Sequence, residues 1–264
     1  MPPVFIGWFL GGRERVASSR GLPSPPSNGG AAARPRYTDP LCRQPKHEKT
    51  AVAEQPRVPD RFRLPPRQDN LQRAVQKAFD SLAGQTDEQF GWLGAQRVAD
   101  FWRLPVLSDA FDVSVAARRV SVSTGAKVGL AWQILALHYL DIRSRPEMGP
   151  PQITFADLAT ARSYAEVYRQ RTVGRLCATV GRTAEGLRAG AIALEGRPAP
   201  GGDAAFDFDV FPRVRLRLIW HAADEEFPPS ATILLPANIE ACFCAEDIVV
   251  LSECLVSRLC ARPY

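Results

Sequence analysis

The stretch "DAAFDFDVFPRVRLRLIW", Asp203 to Trp220, constrains the fold more than any other part of the chain. Phe206, Phe208 and Val210 alternate with Asp207 and Asp209; beyond the Phe211-Pro212 interruption, Val214, Leu216, Leu218 and Trp220 alternate with Arg213, Arg215 and Arg217. A period of two belongs to extended backbone, where successive side chains point to opposite faces. One face is apolar and needs a covering layer. The other carries acids on the first half and arginines on the second. Antiparallel pairing of the halves would set aspartates opposite arginines, at about 0.2–1 kcal/mol per pair. The connection is short, so Pro212 also fits a bend in one long edge strand.

Covering layers are evident on either side. Leu71, Ala74, Val75, Ala78, Phe79 and Leu82 recur at i, i+3, i+4 and predict an amphipathic helix capped by Asp69 or Asn70. "KVGLAWQILALHYLDI" is apolar nearly all round and predicts a buried helix, with His138 a satisfied boundary histidine. "SYAEVYRQRTVGRLCATV" predicts one further helix. "TAEGLRAGAIALEG" predicts another, capped by Thr183 and ended by Gly196. "AEDIVVLSECLVSRL" has acids in its first turn and Arg258 in its last, as the helix dipole favours. Two or three short strands are expected where Phe111, Val113, Val115, Val120 and Val122 alternate with polar residues. The fold class expected is α+β, with helices packed on a mainly antiparallel sheet built largely from the C-terminal third.

Charge divides the chain. Residues 1–68 hold 12 Lys/Arg against 5 Asp/Glu, and the remainder 21 against 23. The basicity therefore belongs to a Pro-, Gly-, Ser- and Arg-rich leader whose composition predicts disorder. Residues 69–264 are expected to form a single domain. Without a basic ordered surface, nucleic acid is not an expected partner. No segment approaches the roughly 18 apolar residues of a membrane span, and the apolar start, Val4 to Leu10, lacks a preceding basic residue. A cytoplasmic location is the expectation.

Two clusters invite a chemical reading. In "DEEFPPSATILLP", Asp224, Glu225 and Glu226 precede a Phe-Pro-Pro turn and an apolar strand. They are candidates for a general acid or cation site, with Arg213 or Arg217 as an anion clamp. Adjacent residues at a strand end point in different directions, however, so a polar corner accepting backbone N–H bonds is the competing and preferred reading. Cys242 and Cys244 are candidate metal ligands in "CFCAEDIVVLSECLVSRLC", but the spacing matches neither zinc pairs nor ferredoxin-type runs. No metal is expected there, and buried cysteine serves as a small hydrophobe. "GPPQ" and "APGGD" read as turns, and no phosphate-cradling G-x4-GK occurs. The residues name no cofactor.

The segments "AWQILALHYL", "VYRQRTVGRL", "GDAAFDFDVFPRVRLRLIW", "DEEFPPSATILLPANIE" and "EDIVVLSECLVSRL" occur in an order that resembles an uncharacterised bacterial and archaeal family, domain of unknown function family 3786, over roughly residues 70–260. The resemblance implies a domain found in anaerobes, sometimes beside iron–sulfur modules, and it transfers no catalytic residue. "ADLATARSY" replaces an expected Gly-Gly loop, and Cys242 and Cys244 stand where aromatic, proline or polar residues are expected. Together these features point to a non-catalytic accessory or ligand-binding domain. The resemblance implies that it assists a cofactor-dependent enzyme of iron–sulfur or corrinoid type, with an iron–sulfur-bearing protein as partner. The alternative is a small carboxylate-based or cation-dependent hydrolase.

Overall fold

A hairpin, not a bent edge strand, is what the alternating stretch forms. The structure is a computed structural model that describes residues 67–158, 161 and 164–264; the expected leader lies outside the described residues, apart from the start of the first helix. In chain order come α1 (Arg67–Leu82), α2 (Asp87–Trp92), β1 (Gln96–Val98), β2 (Phe101–Val106), β3 (Asp109–Ser114), β4 (Arg119–Val122), α3 (Leu130–Leu140) and β5 (Pro151–Ile153). Then follow α4 (Ala165–Arg169), α5 (Arg175–Cys177), α6 (Ala184–Ala193), β6 (Arg197–Pro198), β7 (Ala204–Phe211), β8 (Val214–His221), β9 (Ser230–Pro236) and α7 (Ala245–Leu259).

The fold is α+β, with two antiparallel sheets instead of the single sheet expected. The first is a meander ordered β1-β2-β3-β4; the second is ordered β5-β9-β8-β7-β6. In the second, β7 and β8 pair Phe206 with Leu218, Asp207 with Arg217, Phe208 with Leu216 and Asp209 with Arg215, with a bulge before Phe211. The aspartates and arginines therefore meet across the ladder. Arg217 grips Asp207 through two hydrogen bonds of 2.7 and 3.0 Å. Asp209 accepts from Arg215 at 2.8 Å and from Arg197 at 2.6 Å. Phe206, Phe208, Leu216, Leu218, Trp220, Ile233 and Leu235 bury the opposite face. Trp220, which cannot be buried cheaply with its indole N–H unmet, donates to the Gly181 carbonyl at 2.7 Å.

The helices depart from expectation in two places. The continuous helix expected across "SYAEVYRQRTVGRLCATV" is α4, a π-helical segment Gln170–Gly174, then α5. Thr172 accounts for the widening: its hydroxyl donates to the Tyr168 carbonyl at 2.7 Å, taking the acceptor that an α-helical amide would use. Thr183 caps α6 as expected, accepting from the Gly186 amide at 3.1 Å. At its far end Glu195, not Gly196, takes the left-handed conformation, φ +55°. Gly196 is needed for a different reason: a Cβ there would sit 2.6 Å from Phe208 Cε1. The expected cap for α1 also shifts, since Asp69 lies in its first turn.

α3 is buried on nearly every side and packs against α1 and α7. Tyr139 stacks on Phe211 with centroids 4.6 Å apart, and Trp132 meets Phe111 and Phe211 edge-on. Among the described residues no helix is long and apolar enough to cross a membrane.

His138 joins α3 to α7 through Asp247, whose carboxylate accepts from Nδ1 at 2.9 Å. Burial opposes the imidazolium. The hydrogen bond and charge of Asp247, helped by Asp141, outweigh it and raise the His138 pKa. A raised folded-state pKa gives stability that is fully present below the unfolded value of about 6.5 and fades as pH rises through the folded value. Thermal melts from pH 5.5 to 8.5 should therefore fall with rising pH in this window, and Asp247→Asn should flatten that slope.

Candidate functional site

A groove of about 620 Å³ opens beside the β7–β8 turn. Trp92, the segment Arg145 to Pro151, Asp209 and the run Pro212 to Arg215 line it. Its volume falls in the range typical of small-molecule sites.

The groove is assembled around the end of α3. Helix C-termini leave carbonyls without intrahelical partners. Here two glutamines meet one of them and the carbonyls just beyond the helix: Gln85 Nε2 donates to Leu140 O and Ile142 O at 2.7 and 3.0 Å, and Gln89 Nε2 to Ile142 O and Ser144 O, both at 3.0 Å. Gln89 also accepts from Arg145 Nε at 2.9 Å, while Glu88 takes Arg145 Nη2 at 2.7 Å. Thus α2, with Thr86 as its cap, positions the first cation of the groove. Further along, Asn238 brackets Met148, donating to Glu147 O at 2.9 Å and accepting from Gly149 N at 3.3 Å.

The second wall is the β7–β8 turn. Tyr139 is fully buried, and its hydroxyl donates to Leu93 O at 2.7 Å while accepting the Arg213 amide at 3.2 Å. Pro212 packs against Gly94, whose φ of +86° suits glycine and where a Cβ would lie 2.5 Å from the proline Cβ. So fixed, Arg213 lays its guanidinium 4.3 Å from the Trp92 ring centroid, and its Nε donates to Trp92 O at 2.8 Å. Among the described residues Arg213 has no carboxylate partner.

The sequence candidates are scattered. Arg213 lies in the groove, but Asp224, Glu225 and Glu226 follow the other end of β8, roughly 25–30 Å along an extended strand. Arg217 is held by Asp207, both largely buried. Asp224 closes its own turn: its Oδ1 accepts from Glu226 N at 2.9 Å and Phe227 N at 2.7 Å, and its amide donates to Phe227 O. These N–H groups, Phe227 foremost, hold its carboxyl below the usual carboxylate range. Glu225 and Glu226 are exposed. Cys242 donates to the thioether of Met148 at 3.5 Å, at the edge of the groove, and burial pushes its pKa up to about 11. Cys244 stands at the N-cap position of α7 without a side-chain capping bond, and it is exposed; partial desolvation of its thiol and the charge of Asp247 raise its pKa. Both thiols are therefore neutral at pH 7. Among the described residues no group of three or more His, Cys, Asp or Glu is placed to hold a metal ion.

A family model, Domain of unknown function (DUF3786), matches residues 91–258. The chain belongs to this family. The DUF3786 match opens one residue before Trp92 and closes in α7, so it takes in every residue that lines the groove. Neither the curated proteins nor the solved structures contain a match to the chain.

Trp92, Arg145, Met148 and Arg215 were not evident as site residues from sequence. Their joint signal is the odd excess of arginine over acid around the hairpin, which becomes a site only once α2 and the 145–151 segment are placed. Tyr139→Phe should cost about 1–3 kcal/mol, because Leu93 O and the Arg213 amide lose a buried partner; urea unfolding measures it. At the acidic turn, Asp224→Ala should lower the melting temperature more than Glu225→Ala or Glu226→Ala, in a parallel series of melts.

Proposed function

We propose that this DUF3786 domain is a ligand-binding accessory domain and that the groove beside the β7–β8 turn receives an anionic ligand. One observation carries the proposal: Arg213 is held over Trp92, tied through Nε and its own amide, with no acid to neutralise it among the described residues. A guanidinium fixed in this way needs little ordering when a carboxylate or phosphate arrives, and it offers a planar fork for a bidentate pair. The aromatic face beneath favours the cation without consuming its terminal donors.

A hydrolase built on Asp224, Glu225 or Glu226 with Arg213 as clamp would need groups from opposite ends of β8 at one reacting atom. The ligand-binding reading needs no such convergence. A partner bearing an iron–sulfur cluster, implied by the family resemblance, stays part of the proposal as the protein this domain would serve.

Trp92 makes the test direct. Inorganic phosphate and short carboxylates titrated into the full chain should change tryptophan emission, and Trp92→Phe should remove the change. Arg213→Gln, with its fold checked by circular dichroism, should weaken binding about tenfold or more, the worth of one hydrogen-bonded charge. Binding unchanged in Arg213→Gln would refute the groove as the site.

A further inference from the structure

Resting on that reading, we propose that the ligand is an organic dianion, two oxyanion groups carried on one short molecule. Two places in the groove carry surplus positive charge. The first is Arg213, which has no acidic partner among the described residues. The second is Arg215. Its Nε donates to Asp209 Oδ1, but Arg197 claims the other oxygen of the same carboxylate, so two guanidiniums share one charge. Each of these arginines keeps its terminal Nη atoms clear of protein acceptors among the described residues, Arg215 being bound through Nε alone. Arg213, in the turn, and Arg215, the second residue of β8, are two positions apart in sequence, and both line the groove.

Arg145 approaches from the other segment. Its Nε and Nη2 are held by Gln89 and Glu88, and Nη1 has no acceptor among the described residues. Glu88 is largely exposed, so the pair is well solvated and its mutual neutralisation is weak. Glu147 is the remaining acid of the lining; its side chain is exposed. Met148, Pro150 and Pro212 also line the groove beside these cations. Cationic centres with free terminal donors in one groove match a short molecule with an anion at each end. A monoanion would meet only one of them.

Succinate and glutarate, with butyrate as the singly charged control, test this on the full chain by isothermal titration at fixed ionic strength. The expected result is that a diacid binds about tenfold or more tightly than butyrate, the worth of a second charge-assisted contact. Arg215→Gln should reduce the diacid to near the level of butyrate, weakening the diacid far more than butyrate, whereas Arg213→Gln should weaken both. Arg215→Lys, which keeps the charge, should recover part of the loss. Equal binding of diacid and butyrate, or a diacid preference that survives Arg215→Gln, would overturn the dianion while the groove reading stands through Arg213. Absence of binding by phosphate, butyrate and both diacids would overturn both.

Discussion

The hydroxyl of Tyr139 holds together parts of the chain that are otherwise independent. A phenol buried among Phe211 and Phe243 is strongly unfavourable unless its oxygen is used, and here it is used twice. It donates to Leu93, just past α2, and accepts from Arg213, at the β7–β8 turn. α3 thereby fixes the position of α2 relative to the hairpin. Because Trp92 precedes Leu93 and Arg213 is itself the acceptor's partner, the same pair of bonds sets the arginine over the indole. The groove inherits its geometry from a hydrogen bond in the core. Burial also pushes the phenol pKa well above its ordinary value, so this donor stays protonated throughout the physiological range.

Electrostatics on the hairpin follow from the same economy of partners. Arg217 and Asp207 are shielded by neighbouring strands and meet bidentately, an arrangement in which each satisfies the other. Toward the turn the ladder opens to solvent, and Asp209 is shared between β6 and β8. Exposed pairs of this kind contribute little to stability. Their consequence is local potential: positive charge accumulates toward the turn end of the hairpin, and the groove lies there.

Much of the architecture was written in periodicity. α7 falls on the fifteen residues whose apolar stripe and terminal charges announced it, Ala245–Leu259, and α3 lies within its all-apolar segment. Alternation on both sides of Pro212 marked two extended runs and, if they paired, their Asp–Arg register, because a period of two leaves few registers that keep one face apolar; it left a bent edge strand equally open. What stayed hidden was short or non-local. α2 spans six residues, Asp87–Trp92, fewer than two turns, too few to display a stripe. The π-helical segment depends on one hydroxyl competing for one carbonyl, which composition does not reveal. The groove joins Gln89 to Arg145 and Tyr139 to Arg213, contacts between residues more than fifty positions apart. The two cysteines of the Cys-x-Cys motif belong to different elements: Cys242 follows a 3-10 turn toward Met148, while Cys244 sits at the start of α7.

The hairpin also explains why a stable sheet should carry a charged site at its end. β7 provides Asp207 and Asp209; the facing run provides Arg213, Arg215 and Arg217. The bulge before Phe211 and the Pro212 turn leave the last arginine with no residue across the ladder to answer it. Unbroken alternation would set position 211 opposite Arg213, but the bulge pairs Phe211 with Val214 and turns it into the core, where it stacks on Tyr139. The packing demand of the core thus removes the counter-charge that the alternation would otherwise supply. An uncompensated guanidinium in a groove is tolerable because water solvates it in the free protein, and an oxyanion replaces that water at little reorganisation of the protein.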